Sequence, residues 1–271
     1  MDQASTISVK PGQSFTPRAM KGLLEICAPA AGEPASSVYL RPGQGQQFLE
    51  SQESDGRAWW ERLSVLDRSV LASDTGLVAL RSGNQVLVIL PPFPVLGLPP
   101  VLALSTESAP STEKEGVSSS WDTESLLTLL ETEYTIGVIL LRLGRFSVAV
   151  FQGRDLLTAK TDARYVKGRH AAGGTSQKRY QRIREGQIRK LYDKTCEAVQ
   201  IQFGSVADEL DYILLGGDKF TLEGFLKVCP YLEKQRGRIL ERRLNIRDPK
   251  RDTLEEAAGM LGECRVYPLT W

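Results

Sequence analysis

Two apolar runs stand almost back to back in this sequence, YTIGVILLRL at 134–143 and RFSVAVFQ at 145–152. Both are rich in β-branched residues and they meet at Gly144, which predicts a pair of antiparallel strands. No other stretch constrains the fold as tightly. DLLTAKTDARYV (155–166) continues as a third strand that leaves the sheet and turns basic. Downstream the pattern alternates. A long helix runs to about Val199, DYILLGG (211–217) reads as a strand and KFTLEGFLKVC (219–229) as a helix. RILERRLNI (238–246) reads as a strand, TLEEAAGML (253–261) as a helix, and CRVYPL closes the chain as an edge strand. Helices alternating with strands after a meander predict an α/β fold: a mixed β-sheet with flanking helices.

The first half is less regular. Residues 1–35 are punctuated by Pro, Gly and Ala and are not placed. WWERLSVLDRSVL (59–71) is amphipathic and predicts a helical stretch. GLVALR (76–81) and QVLVIL (85–90) flank Ser82, Gly83 and Asn84 and predict a hairpin. The apolar run 86–104 has the length of a membrane span, but prolines at 91, 92, 94, 99 and 100 would break such a helix. It reads instead as a buried strand, Val86 to Leu90, followed by extended chain. SLLTLLETE (125–133) predicts a helix. The polar segment 105–120 reads as a loop or linker. This divides the chain into an N-terminal α/β region, 1–104, either separate or part of the same domain, and a second region, 121–271.

With 41% hydrophobic and 25% charged residues among 271, the chain can bury a sizeable core, which excludes disorder throughout. The opening MDQASTISVK lacks the apolar core of a secretion signal, so a cytoplasmic protein is expected. No two of Cys27, Cys196, Cys229 and Cys264 lie within thirty residues of each other. That spacing offers no zinc site and predicts reduced, buried thiols. No metal, cofactor or membrane is expected, and the chain is expected to be a monomer.

Charge distribution says more than net charge. Residues 160–190 hold ten bases against two acids, a net +8 in a chain whose total is +1, so the remainder carries −7. A basic stripe on an acidic body is the footprint of a phosphate-bearing partner. Within it lies RHAAGGTSQKRYQRIREGQIRKLYDK (169–194). Ile188, Leu191, Tyr192, Thr195 and Val199 form one helical face that can dock on a sheet. Residues 177–187 lack such a face, so the N-terminal half of this helix is expected to project. Gly173 and Gly174 precede it and permit backbone angles other residues resist.

Ser176 and His170 do not make a convincing nucleophile and base, because a glycine-containing loop separates them and no carboxylate has a placed role. Gln177 is the stronger candidate. Its amide does not titrate near neutrality, so it cannot be a general base. It can orient a water, while its backbone N–H stabilises developing charge. That suits hydrolysis of an activated ester whose own hydroxyls relay the proton, such as the ester at a tRNA 3′ end. Asp155 and Asp162 raise a metal-dependent nuclease as a competitor. A phosphate loop at LLGGDKF (214–220) is disfavoured against a tight turn with Asp218 as helix cap.

Gly-Gly-Thr-Ser-Gln, followed by Lys-Arg-Tyr and an arginine-rich helix, resembles the bacterial branch of the VLRF family. These are release-factor-like peptidyl-tRNA hydrolases related to the middle domain of eukaryotic and archaeal class-1 release factors. The resemblance extends through LLGGDKFTLEGFL and RILERRLNIRDPKRDTLEEA and spans roughly 121–271. It implies a ribonuclease-H-like release-factor middle-domain fold. It also implies hydrolysis of peptidyl-tRNA on stalled large ribosomal subunits. Gln177 would be the catalytic glutamine, Gly173 and Gly174 the hinge, and Thr175 and Ser176 would shape the tip. Lys167, Arg169, His170, Lys178, Arg179, Arg182 and Arg184 are the expected contacts to rRNA and tRNA. The sequence departs from the pattern in one respect. Release factors carry Gly-Gly-Gln and eukaryotic members Gly-Gly-Ser-Gln, whereas two residues separate Gly174 from Gln177 here. That spacing, and the lack of an evident codon-reading segment, fit rescue rather than ordinary termination. The alternative is a non-catalytic ribosome-associated module that binds rRNA or tRNA.

Overall fold

The computed structural model describes residues 9–51, 59–95, 117–168 and 175–270. The end of the proline-rich run, most of the expected linker, and Arg169, His170, Gly173 and Gly174 lie outside the described residues. The chain forms two compact units, one of residues 1–132 with 262–271, the other of 133–261. No helix among the described residues is long and apolar enough to cross a membrane.

The first unit holds β1 (Gln13–Phe15), α1 (Pro17–Ile26), β2 (Ala35–Leu40) and α2 (Gly45–Ser51). A 3-10 turn at Trp59–Val65 and the short α3 (Arg68–Leu71) follow. Next come β3 (Leu77–Ser82), β4 (Gln85–Leu90), β5 (Val117–Ser118) and α4 (Glu124–Glu131), and the unit is completed by the final strand, Cys264–Thr270. α1 starts where its sequence tells it to. The Thr16 hydroxyl accepts from the Ala19 N–H at 3.4 Å, and Pro17 occupies the first helical position, where no N–H is needed. The expected hairpin is β3–β4, and the expected helix over 59–71 forms as two short pieces that bury Trp59, Leu63, Val70 and Leu71.

The final strand corrects the sequence expectation. CRVYPL is not an edge: it lies between β1 and β4 in the order β1, last strand, β4, β3, β2, β5. Val266 is fully buried and faces Gln13 on one side and Ile89 on the other. Pro268 cannot donate to a ladder. β1 pairs only as far as Val266, so the proline lies beyond that pairing.

The second unit is built on β6 (Thr135–Arg142), β7 (Arg145–Gln152), β8 (Asp155–Ala163), β9 (Tyr212–Gly217) and β10 (Ile239–Leu244). The helices are α5 (Thr175–Gly204), α6 (Lys219–Leu226), α7 (Pro230–Lys234) and α8 (Thr253–Leu261). Sheet order is β10-β9-β6-β7-β8, with β6, β9 and β10 parallel and β7 antiparallel to both its neighbours. This mixed sheet with flanking helices is the fold class expected. β6 and β7 are buried along nearly their whole length, as strands covered on both faces must be. Gly137 on β6 makes room for Phe203 of α5: a Cβ there would come within 2.6 Å of the ring.

The expected reduced state of all four cysteines is also corrected. Cys196 lies on the buried side of α5 and Cys229 just precedes α7; their Cα atoms are 5.5 Å apart and the two are disulfide-bonded. The 33-residue separation hid this pair, because packing of α5 on α7 closes it.

Candidate functional site

β8 is the edge strand that delivers the chain to the basic segment. Its register with β7 runs to Ala163, opposite Arg145. One residue on, the Arg164 N–H still donates to the Gly144 carbonyl at 2.8 Å. Asp162 accepts from the Ala163 N–H at 2.8 Å and pairs with Arg164 at 3.7 Å.

α5 then carries two chemistries. Leu191, Tyr192, Thr195 and Val199 are buried, with Ile188 packed against the same cluster, so the predicted docking face exists. Burial raises the Tyr192 phenol above its ordinary range; Asp218 adds to this and Arg184 opposes it. Every residue from Gln177 to Ile183 is exposed. Among the described residues, no ion pair involves Lys178, Arg179, Arg182, Arg189 or Lys190. These charges remain available to an anionic partner.

Gln177 is the third residue of α5, not part of a loop. Thr175 and Ser176, expected to shape a flexible tip, are in the same first turn. Residues 175–177, at the start of α5, are the ones whose N–H groups have no acceptor within a helix, and the helix dipole adds positive character there. An exposed neutral amide therefore stands over outward-facing donors, with Lys178 and Arg179 next to it. That set can hold a water and stabilise an oxyanion.

Two of the expected RNA contacts have structural partners. The Lys167 N–H donates to Gln187 Oε1 at 2.9 Å, and Arg184 Nε donates to the Lys167 carbonyl at 3.0 Å. Lys167 Nζ sits 4.5 Å from the centre of the Tyr180 ring. Gln187 escaped sequence reasoning because it was judged by hydropathy alone. Its spacing from Tyr180 and Arg184, seven and three residues, was the available signal.

Residues 134–266 match a family model described as Actinobacteria/chloroflexi VLRF1 release factor. Over that stretch the chain is similar to the VLRF1-like release-factor family. Peptide chain release factor subunit 1 of Methanopyrus kandleri is 32% identical over 103 residues, covering 38% of this chain and 25% of that protein. Its counterpart in Methanosphaera stadtmanae is 26% identical over 202 residues, 66% of this chain and 48% of that protein. The chain thus spans between a quarter and a half of these relatives. The crystal structure of the archaeal translation termination factor aRF1 aligns with 90% of this chain and 69% of its own, at 16% identity and a TM-score of 0.37.

The VLRF1-like stretch contains β6–β10, α5–α8, Lys167, Arg184 and Gln177 together. It also contains the residues that suggested other chemistries. Asp155 and Asp162 stand seven residues apart on β8, about 23 Å at ordinary strand rise, too far to share an ion. At LLGGDKF, Asp218 Oδ2 accepts from the Thr221 N–H at 2.9 Å and from its hydroxyl at 2.7 Å. The cap occupies the first turn of α6, as the sequence predicts.

Proposed function

We propose that this protein hydrolyses the ester linking a nascent peptide to tRNA on stalled large ribosomal subunits, with Gln177 as the catalytic residue. The observation that carries this reading is the exposed Gln177 in the first turn of a helix whose exposed half is basic and whose other half packs one buried face against the sheet. Lys178, Arg179 and Arg182 hold phosphates of the tRNA or rRNA, with Lys167, Arg184, Arg169 and His170 extending that surface. The Gln177 amide orients a water against the ester carbonyl carbon. As the water oxygen bonds to that carbon, negative charge grows on the carbonyl oxygen, where the first-turn N–H groups stabilise it. The carbon–oxygen bond to the ribose breaks, the ribose oxygen takes a proton relayed by its neighbouring hydroxyl, and the peptide leaves as a carboxylic acid. Gly173 and Gly174 provide the hinge, and Thr175 and Ser176 set the approach to Gln177. The working compartment is the cytoplasm, and the unit 133–261 is the catalytic one.

The chemistry of the products tests the reaction class. Full-length protein acting on peptidyl-tRNA bound to large subunits should yield free peptide and tRNA with an intact 3′ end that can be charged again. A shortened tRNA would mean phosphodiester cleavage and would refute ester hydrolysis. Binding without any release would leave a non-catalytic RNA-binding module.

A further inference from the structure

The exposed half of α5 poses a mechanical problem. From Gln177 to Ile183 no side chain is buried, so hydrophobic packing does not fix the direction of this segment. Gly186 sits where the exposed half meets the anchored half, with open space around its Cβ position. Glycine inside a helix is less favourable than alanine by about 1 kcal/mol and weakens the helix at that junction. The Lys167 contacts lie on both sides of this weak point. Tyr180 and Arg184 precede Gly186 and Gln187 follows it. Tyr180, Arg184, Gln187 and Leu191 share one helical face, so the apolar face that docks on the sheet continues as a polar one. Both backbone groups of Lys167 are engaged, which makes the chain leaving β8 a splint along α5. Tyr180 lies three residues from Gln177, about 4.5 Å along the axis.

We infer that Gln187 is a positioning residue: through the Lys167 backbone it braces α5 across Gly186 and so fixes where Gln177 meets its substrate. This rests on the reading of Gln177 as the catalytic residue. Gln187 accepts from a backbone N–H, so its role is separable from the charges that bind RNA.

The test is single-turnover peptide release by the full-length protein at saturating concentration, beside its affinity for large subunits carrying peptidyl-tRNA. Gln187→Leu removes the acceptor at similar size. A misplacement of about 1 Å can cost up to a hundredfold in rate, so release should slow about tenfold or more while affinity stays within about twofold. Gln187→Glu keeps an acceptor oxygen and should recover most of the rate. Tyr180→Leu, at an exposed position, should slow release in the same sense and serves as the measurement if Gln187→Leu fails to fold. Unchanged release by a folded Gln187→Leu protein overturns the brace, as does a loss explained by weaker binding. Absence of release by the wild-type protein instead overturns the hydrolase reading itself, and the brace with it.

Discussion

Single residues in the second unit carry demands that the sequence only half reveals. A glycine inside the apolar run of β6 signals that something approaches closely. What approaches is Phe203, 66 positions later, and no local pattern names it. Gly137→Ala should therefore destabilise the protein by about 1–3 kcal/mol, because the ring must move in a packed core. Urea unfolding followed by fluorescence or circular dichroism checks this; an unchanged midpoint would mean that Phe203 relaxes freely. Asp218 was easier to read, since an N-cap uses only neighbours in sequence: acidic residue, helix start and partner lie within four positions. The cysteines were misread for the opposite reason. Their pairing depends on helix packing, and spacing alone carries no trace of it.

Elements show the same division. The strands of the second unit and the buried face of α5 were legible because each repeats a short period in hydropathy. The polar continuation of that face was not, because Arg184 and Gln187 look like any solvated residues until Lys167, in the chain leaving β8, is placed beside them. The placement of Gln177 within the first turn, rather than in a loop, belongs to the same gap. Two expectations follow for α5. Neutralising Arg179 and Arg182 together, each to Gln, should weaken subunit binding and lower the slope of log affinity against log salt by about one per residue. An unchanged slope would place the phosphate contacts elsewhere. The disulfide anchoring α5 predicts two reactive thiols in denatured, unreduced protein and four after reduction. Its 33-residue loop gives a stabilisation of about 3–4 kcal/mol in the chain-entropy account. Four thiols before reduction would contradict the bond.

At the scale of the molecule, the two-unit division runs differently from a simple cut at a polar linker. α4 and the last strand, both within the region 121–271, belong to the first unit. The last strand reads as an edge from the sequence, and only its pairing on both sides corrects that. Removing residues 264–270 should therefore unfold the first unit, detected as loss of one cooperative thermal transition; a shortened chain retaining its full transition would contradict the central position of this strand. The match to the VLRF1-like family lies almost entirely in the second unit, which also holds Gln177 and the basic half of α5. The proposed function assigns peptide release from tRNA to this unit and to Gln177. The most direct measurement is the rate of peptide release from peptidyl-tRNA on purified large subunits, wild type against Gln177→Ala, with subunit binding measured alongside. Gln177→Ala should lose at least about a hundredfold in release with binding unchanged, in line with loss of the group that positions the attacking water. Release by Gln177→Ala at the wild-type rate would contradict it.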